Sequence, residues 1–94
     1  MPPQELRYRE LRLCSGKGSY EAIPQRPVRL HLPRVKTQVE KMGRNVLDAR
    51  VMLILEGPPE TTVMQDGRVL IKTRDPETAH AELERLRPLL VASV

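Results

Sequence analysis

The chain contains no phenylalanine and no tryptophan, and Tyr8 and Tyr20 are its whole aromatic content. A protein that stacks bases needs aromatic platforms, and this one has almost none to offer. Cysteine is equally scarce. Cys14 stands alone, so no intramolecular disulfide framework forms and nothing points to secretion. The longest apolar run, Val51-Met52-Leu53-Ile54-Leu55, falls far short of the ~20 residues that cross a bilayer. Met1-Pro2-Pro3-Gln4-Glu5 has neither the apolar stretch of a signal peptide nor a cationic amphipathic pattern. A reducing cytoplasm is the expected location, with no membrane partner.

What is there suits one small globular domain: 94 residues, 39% hydrophobic and 30% charged. Sixteen Lys and Arg against twelve Asp and Glu give a net charge of +4. The basic residues are scattered among acidic ones, which describes a solvated surface with a mild preference for acidic partners.

Residues 1–27 read as an irregular segment in which Leu6, Tyr8, Leu11 and Leu13 allow one or two short strands. Ser15-Gly16-Lys17-Gly18-Ser19 is a loop, and Pro24 and Pro27 exclude a central strand between them. Residues 28–94 carry the regular patterns. Val28-Arg29-Leu30-His31-Leu32 alternates like a half-buried strand, and Pro33 opens a helix whose Val35, Val39 and Met42 share one face before Gly43 caps it. Val46 to Leu55 predicts a central strand. Thr61–Gln65 and Arg68–Thr73 flank Asp66-Gly67, the signature of a two-residue type I′ hairpin that would set Met64 against Val69 and Val63 against Leu70.

Asp75-Pro76-Glu77 starts a second helix: a carboxylate cap, proline in the first turn, and an acid that favours the helix dipole. Ala79, Leu83, Leu86 and Leu90 form its apolar stripe, and Pro88 predicts a kink or an end near Arg87. The order strand-helix-strand-strand-strand-helix gives an α+β fold, a small two-layer sandwich with both helices on one face of an antiparallel sheet.

No catalytic constellation emerges. Lys17 lies between glycines, but the phosphate loop needs a preceding strand, wider glycine spacing and a helix opening at the lysine, so a flexible turn is the plainer reading. Cys14, His31 and His80 have no metal-ligand spacing between them, and Cys14 reads as a small buried or half-buried residue. Glu82 and Glu84 sit among Arg85 and Arg87 and read as an exposed, salt-bridged helix face. Two basic groups remain: Arg34, Lys36, Lys41 and Arg44 around the first helix, and Arg68, Lys72 and Arg74 around the last strand. A basic sheet face can follow a phosphate backbone, so a small nucleic-acid-binding domain is the alternative reading.

Thr61 to Thr73, followed by Asp75-Pro76-Glu77-Thr78-Ala79, is similar to the closing segment of ThiF/MoeB-type, ubiquitin-activating-like adenylyltransferases. Asp66-Gly67-Arg68 and Asp75-Pro76 fall in register with that family's closing phrase, and Leu13-Cys14-Ser15-Gly16 resembles an upstream phrase. The likeness covers about residues 11–87. The family's nucleotide-binding part and its paired zinc cysteines have no counterpart here, so adenylation, cofactors and metal do not carry over. The resemblance implies a non-catalytic accessory or protein-interaction module whose partner is an adenylyltransferase or an acidic ubiquitin-like sulfur carrier. Arg68, Lys72 and Arg74 are the expected interaction surface, and Asp66 and Gly67 the structural turn. Pairing of two copies through a sheet edge is the third possibility.

Overall fold

The computed structural model describes residues 6–14 and 18–94. One antiparallel sheet of six strands carries two helices on one face, an α+β architecture. The strands are β1 (Arg12–Cys14), β2 (Ser19–Ala22), β3 (Val46–Asp48), β4 (Met52–Leu55), β5 (Thr61–Met64) and β6 (Val69–Ile71). They lie in the order β1-β2-β6-β5-β4-β3. The helices are α1 (Leu32–Lys41) and α2 (Pro76–Val91).

The pairing register decides which side chains share a face. Leu55, Thr61, Ile71, Tyr20 and Leu13 lie opposite one another in one row across the sheet. Leu53, Val63, Val69 and Ala22 form the next row on that face. From β2 to β4 both rows are buried apart from half-buried Tyr20, because α1 covers β3 and β4 while α2 covers β2 and β6. Leu32, Val35 and Val39 supply the buried face of α1, and Ala79, Leu83, Leu86 and Leu90 that of α2.

The segment before α1 is not a strand. Val28 to His31 is extended but joins no ladder; it is pinned where Leu30 N donates to Gln65 O (2.8 Å) and His31 N to Ser93 O (2.7 Å). Its alternation is nonetheless real, since Leu30 is buried between exposed Arg29 and His31. The expected single strand Val46 to Leu55 is instead the hairpin β3–β4. Asp48 Oδ1 accepts from Arg50 N (2.9 Å), and Arg50 adopts a left-handed φ of 71°, which reverses the chain. β3 becomes an edge strand, and Leu47 is 64% exposed rather than buried.

The β5–β6 hairpin forms at Asp66-Gly67, but with three loop residues instead of two. Gly67 N donates to Met64 O (2.9 Å), Met64 N to Arg68 O (2.8 Å), and Gly67 takes φ 92°. This is a type I turn closed by a glycine bulge. The added residue shifts the register by one, pairing Val63 with Val69 and Thr62 with Leu70. A one-residue shift exchanges the faces, so the turn is what sends Val63 and Val69 into the core.

α1 ends at Lys41, leaving Met42 at the cap 48% exposed, and Gly43 follows with φ 84°. α2 begins as the sequence predicts, with the Asp75 carboxylate accepting from Thr78 N (3.1 Å). It does not end at Pro88. The helix runs on to Val91, because Leu90 is fully buried there, while Glu84, whose carbonyl loses its partner, is exposed. Of the short strands that Leu6 to Leu13 allow, β1 forms around Leu13; β2 falls on Ser19–Ala22, where no strand was expected and where Ser19 leaves the expected loop, and both strands are integral to the sheet. Of the expected Ser15–Ser19 loop, residues 15–17 lie outside the described residues; Gly18 turns with φ 62° into β2.

Candidate functional site

The face of the sheet turned away from the helices has no covering layer among the described residues. Strand alternation places on it every residue that the core rows leave out. One row runs Leu47, Ile54, Thr62, Leu70, Glu21, Arg12 across all six strands. Met52 and Met64 pair beside it. Ile54, Met52, Met64 and Leu70 are half-buried by their neighbours alone, so their outer surfaces meet solvent. An apolar centre thus spans β3 to β6. Scattered apolar groups are ordinary on a protein surface; here Leu47, Ile54 and Leu70 share one row, with Thr62 between Ile54 and Leu70.

Charged residues border the row. Arg68 and Lys72 flank Leu70 two positions away on either side, and both are exposed. Lys72 continues the ladder, its N–H donating to Glu60 O (2.9 Å). Arg68 Nε pairs with Asp66 Oδ2 (3.0 Å), an exposed ion pair that holds the guanidinium at the turn. Arg12 lies at the β1 edge, and exposed Glu56 and Glu60 flank the β4–β5 loop. The register sets Glu60 directly across from Lys72, Asp66 holds Arg68 and Glu21 faces Arg12, so each bordering cation has a carboxylate beside it.

Of the three cations expected to form the surface, the structure brings Arg68 and Lys72 onto this face. Arg74 lies elsewhere: a Cβ on Gly18 would stand 3.1 Å from its Nε, so Arg74 extends over the β1–β2 turn. Asp66 and Gly67 belong to the scaffold. Asp66 Oδ1 accepts from Arg68 N (3.1 Å), and the Gly67 carbonyl accepts from the Tyr8 hydroxyl (2.7 Å). Burial, and next the Asp66 carboxylate, push the Tyr8 hydroxyl well above the ordinary tyrosine range, with Arg87 opposing.

The first-helix cations do not act together. Arg44 is a structural anchor: its Nη2 reaches Glu82 Oε2 (2.6 Å) and Pro59 O (2.8 Å), and its Nε reaches Glu56 O (2.6 Å). Glu82 is 1% exposed, not on a solvent face as the sequence suggested, and also accepts from Arg85 Nη1 (3.0 Å) and the buried Thr61 hydroxyl. Glu82 lies three residues after Ala79 and four before Leu86, so it shares their stripe; that spacing was the available signal. Glu84 stays outside, 3.7 Å from Arg87.

A cleft of about 820 Å³ lies between residues 7–11, β2 and α2. Both tyrosines line it, with Arg87 and Glu84 on one wall and Arg9 and Glu10 on the other. Tyr8 is spent on Gly67, and no nucleophile there is hydrogen-bonded to a base among the described residues. Cys14 is half-buried in β1, opposite Ser19 and on the uncovered face. His31 precedes α1 as its cap residue, and His80 is exposed on α2. Among the described residues no three His, Cys, Asp or Glu groups could hold a metal ion, and no helix is long and apolar enough to cross a membrane.

Comparison with known protein families, curated proteins and solved structures finds no match to this chain.

Proposed function

We propose that the chain is a non-catalytic docking module, working in the cytoplasm, whose uncovered sheet face receives an acidic protein partner. The observation that carries this reading is the row Leu47, Ile54, Thr62, Leu70, apolar through its centre and bordered by Arg68, Lys72 and Arg12. Burial of the apolar centre supplies affinity, and the cations orient a partner whose own apolar patch is ringed by carboxylates. The likeness at residues 61–79 implies an acidic ubiquitin-like sulfur carrier as that partner.

Calorimetric titration with such a carrier tests the reading. Binding is expected, weakened at least about tenfold by Leu70→Ser and, through the association rate and salt dependence, by Lys72→Glu. No heat at high protein concentration, or binding indifferent to both substitutions, overturns it. The nucleic-acid alternative predicts instead retention on single-stranded RNA that falls steeply with salt. Among the described strand residues the face offers that ligand no aromatic side chain, since Tyr20 points to the helix side.

A further inference from the structure

A second feature lies where four chain segments meet beside the start of α1. A hollow of about 350 Å³ is bounded by Arg29, His31, Arg50, Gln65 and the first helical residues Leu32 and Pro33. No carboxylate lines it. Arg29 and Arg50 are exposed, and neither guanidinium forms a hydrogen bond or ion pair with another described residue. Arg44, Arg68, Arg85 and Arg87 have carboxylate partners; Arg29 and Arg50 have none among the described residues and line one hollow together.

The backbone around them is fixed. Leu30 N donates to Gln65 O (2.8 Å), and Gln65 N to Val51 O (3.0 Å), which locks the strap before α1 to the two neighbouring turns. Arg50 is held at φ 71°, the only described non-glycine residue with positive φ. A turn serving only to reverse the chain would favour glycine or asparagine there. α1 opens on the same hollow without an acidic residue in its first turn and without a capping side chain, so the field of its amides adds to that of the guanidiniums.

We infer that this hollow is a binding site for a phosphate group, held by Arg29 and Arg50 with Gln65 and His31 as further hydrogen-bonding partners. Planar guanidiniums present paired donors that match phosphate oxygens, and the absence of a competing carboxylate leaves them available. The inference is independent of the docking face.

Amide chemical shifts of the full chain, followed while inorganic phosphate or phenyl phosphate is added at constant ionic strength, test it. Saturable shifts are expected at residues 29–32, 34, 50 and 65. Arg50→Gly should weaken binding by at least about tenfold, as loss of a charge-assisted contact does, while melting no lower than the parent because glycine relieves the positive φ. Arg29→Gln should weaken it similarly, and Arg68→Gln/Lys72→Gln should leave it unchanged. Preference for phenyl phosphate would place the group on a larger molecule; equal affinity would point to the free ion. Shifts that rise linearly and spread over all cationic surfaces, or binding retained in Arg50→Gly, overturn the inference.

Discussion

The two faces of the sheet are built from the same kinds of residue and live in different surroundings. Leu53 and Ile54 are neighbours in β4, yet Leu53 is fully buried under α1 and Ile54 looks outward from an uncovered row. Val63 and Met64 stand in the same relation in β5. Strand composition alone cannot separate a core face from a docking face; the helices and the register do that. The difference is energetic as well as geometric, because only the covered face loses close-packed neighbours when a side chain shrinks.

Leu53→Ala should therefore cost about 2–5 kcal/mol in urea unfolding, and Ile54→Ala about 1 kcal/mol or less. Equal costs would mean that the outer face is covered in solution, and sedimentation would then show self-association. The same contrast holds for charge. Glu82→Ala strands Arg44 in a largely buried site and should cost about 3 kcal/mol. A paired Arg44→Met/Glu82→Leu variant should lose less than that single change, because the penalty lies in the uncompensated charge.

Glycines sharpen the comparison at smaller scale. Gly67→Val should cost about 2 kcal/mol or more, since its Cβ would stand 2.5 Å from Val28 Cγ2 at a φ of 92°. Gly43→Ala meets nothing within 4 Å at φ 84°, so only backbone strain remains and the loss should be about 1 kcal/mol. Comparable melting temperatures for the two variants would show that the packing against Val28 and Pro24 is loose.

The smallest effect is expected at the start of α2. The Thr78 hydroxyl and then its amide hold the Asp75 carboxyl below the usual carboxylate range. A lowered folded-state pKa stabilises the fold above the unfolded value, and that contribution disappears as pH falls through the folded value. Asp75→Asn should therefore melt lower than the parent at neutral pH, with the gap closing below about pH 4. A gap independent of pH would assign the effect to the hydrogen bond rather than to the charge.

Local signals read well wherever a single turn of chain carries them. Asp75-Pro76 capped a helix, Asp66-Gly67 reversed a hairpin, and Leu32 to Lys41 formed a helix on the Val35–Val39 stripe. Signals failed where a distant partner decided the outcome. Val28 to His31 alternates like a strand but is held by Gln65 and Ser93 outside the sheet, and the helix does not end at Pro88 but runs on to bury Leu90. Of the expected surface, Arg68 and Lys72 were visible as cations, whereas the apolar row beside them was hidden because Val63 and Met64 are equally apolar.

Composition and spacing were enough to determine a small α+β domain with a hairpin near Asp66, two amphipathic helices and no cysteine framework. Hydrogen bonds within a turn and periodicity within a helix are local, so they are written in neighbouring residues. Tertiary structure alone decided that Glu82 is buried, that Arg74 parts from Arg68 and Lys72, and that Arg29 meets Arg50. Each of those outcomes depends on strand register and on which layer covers which face. A one-residue shift in a turn reverses both, and no window of sequence around the residue itself records it.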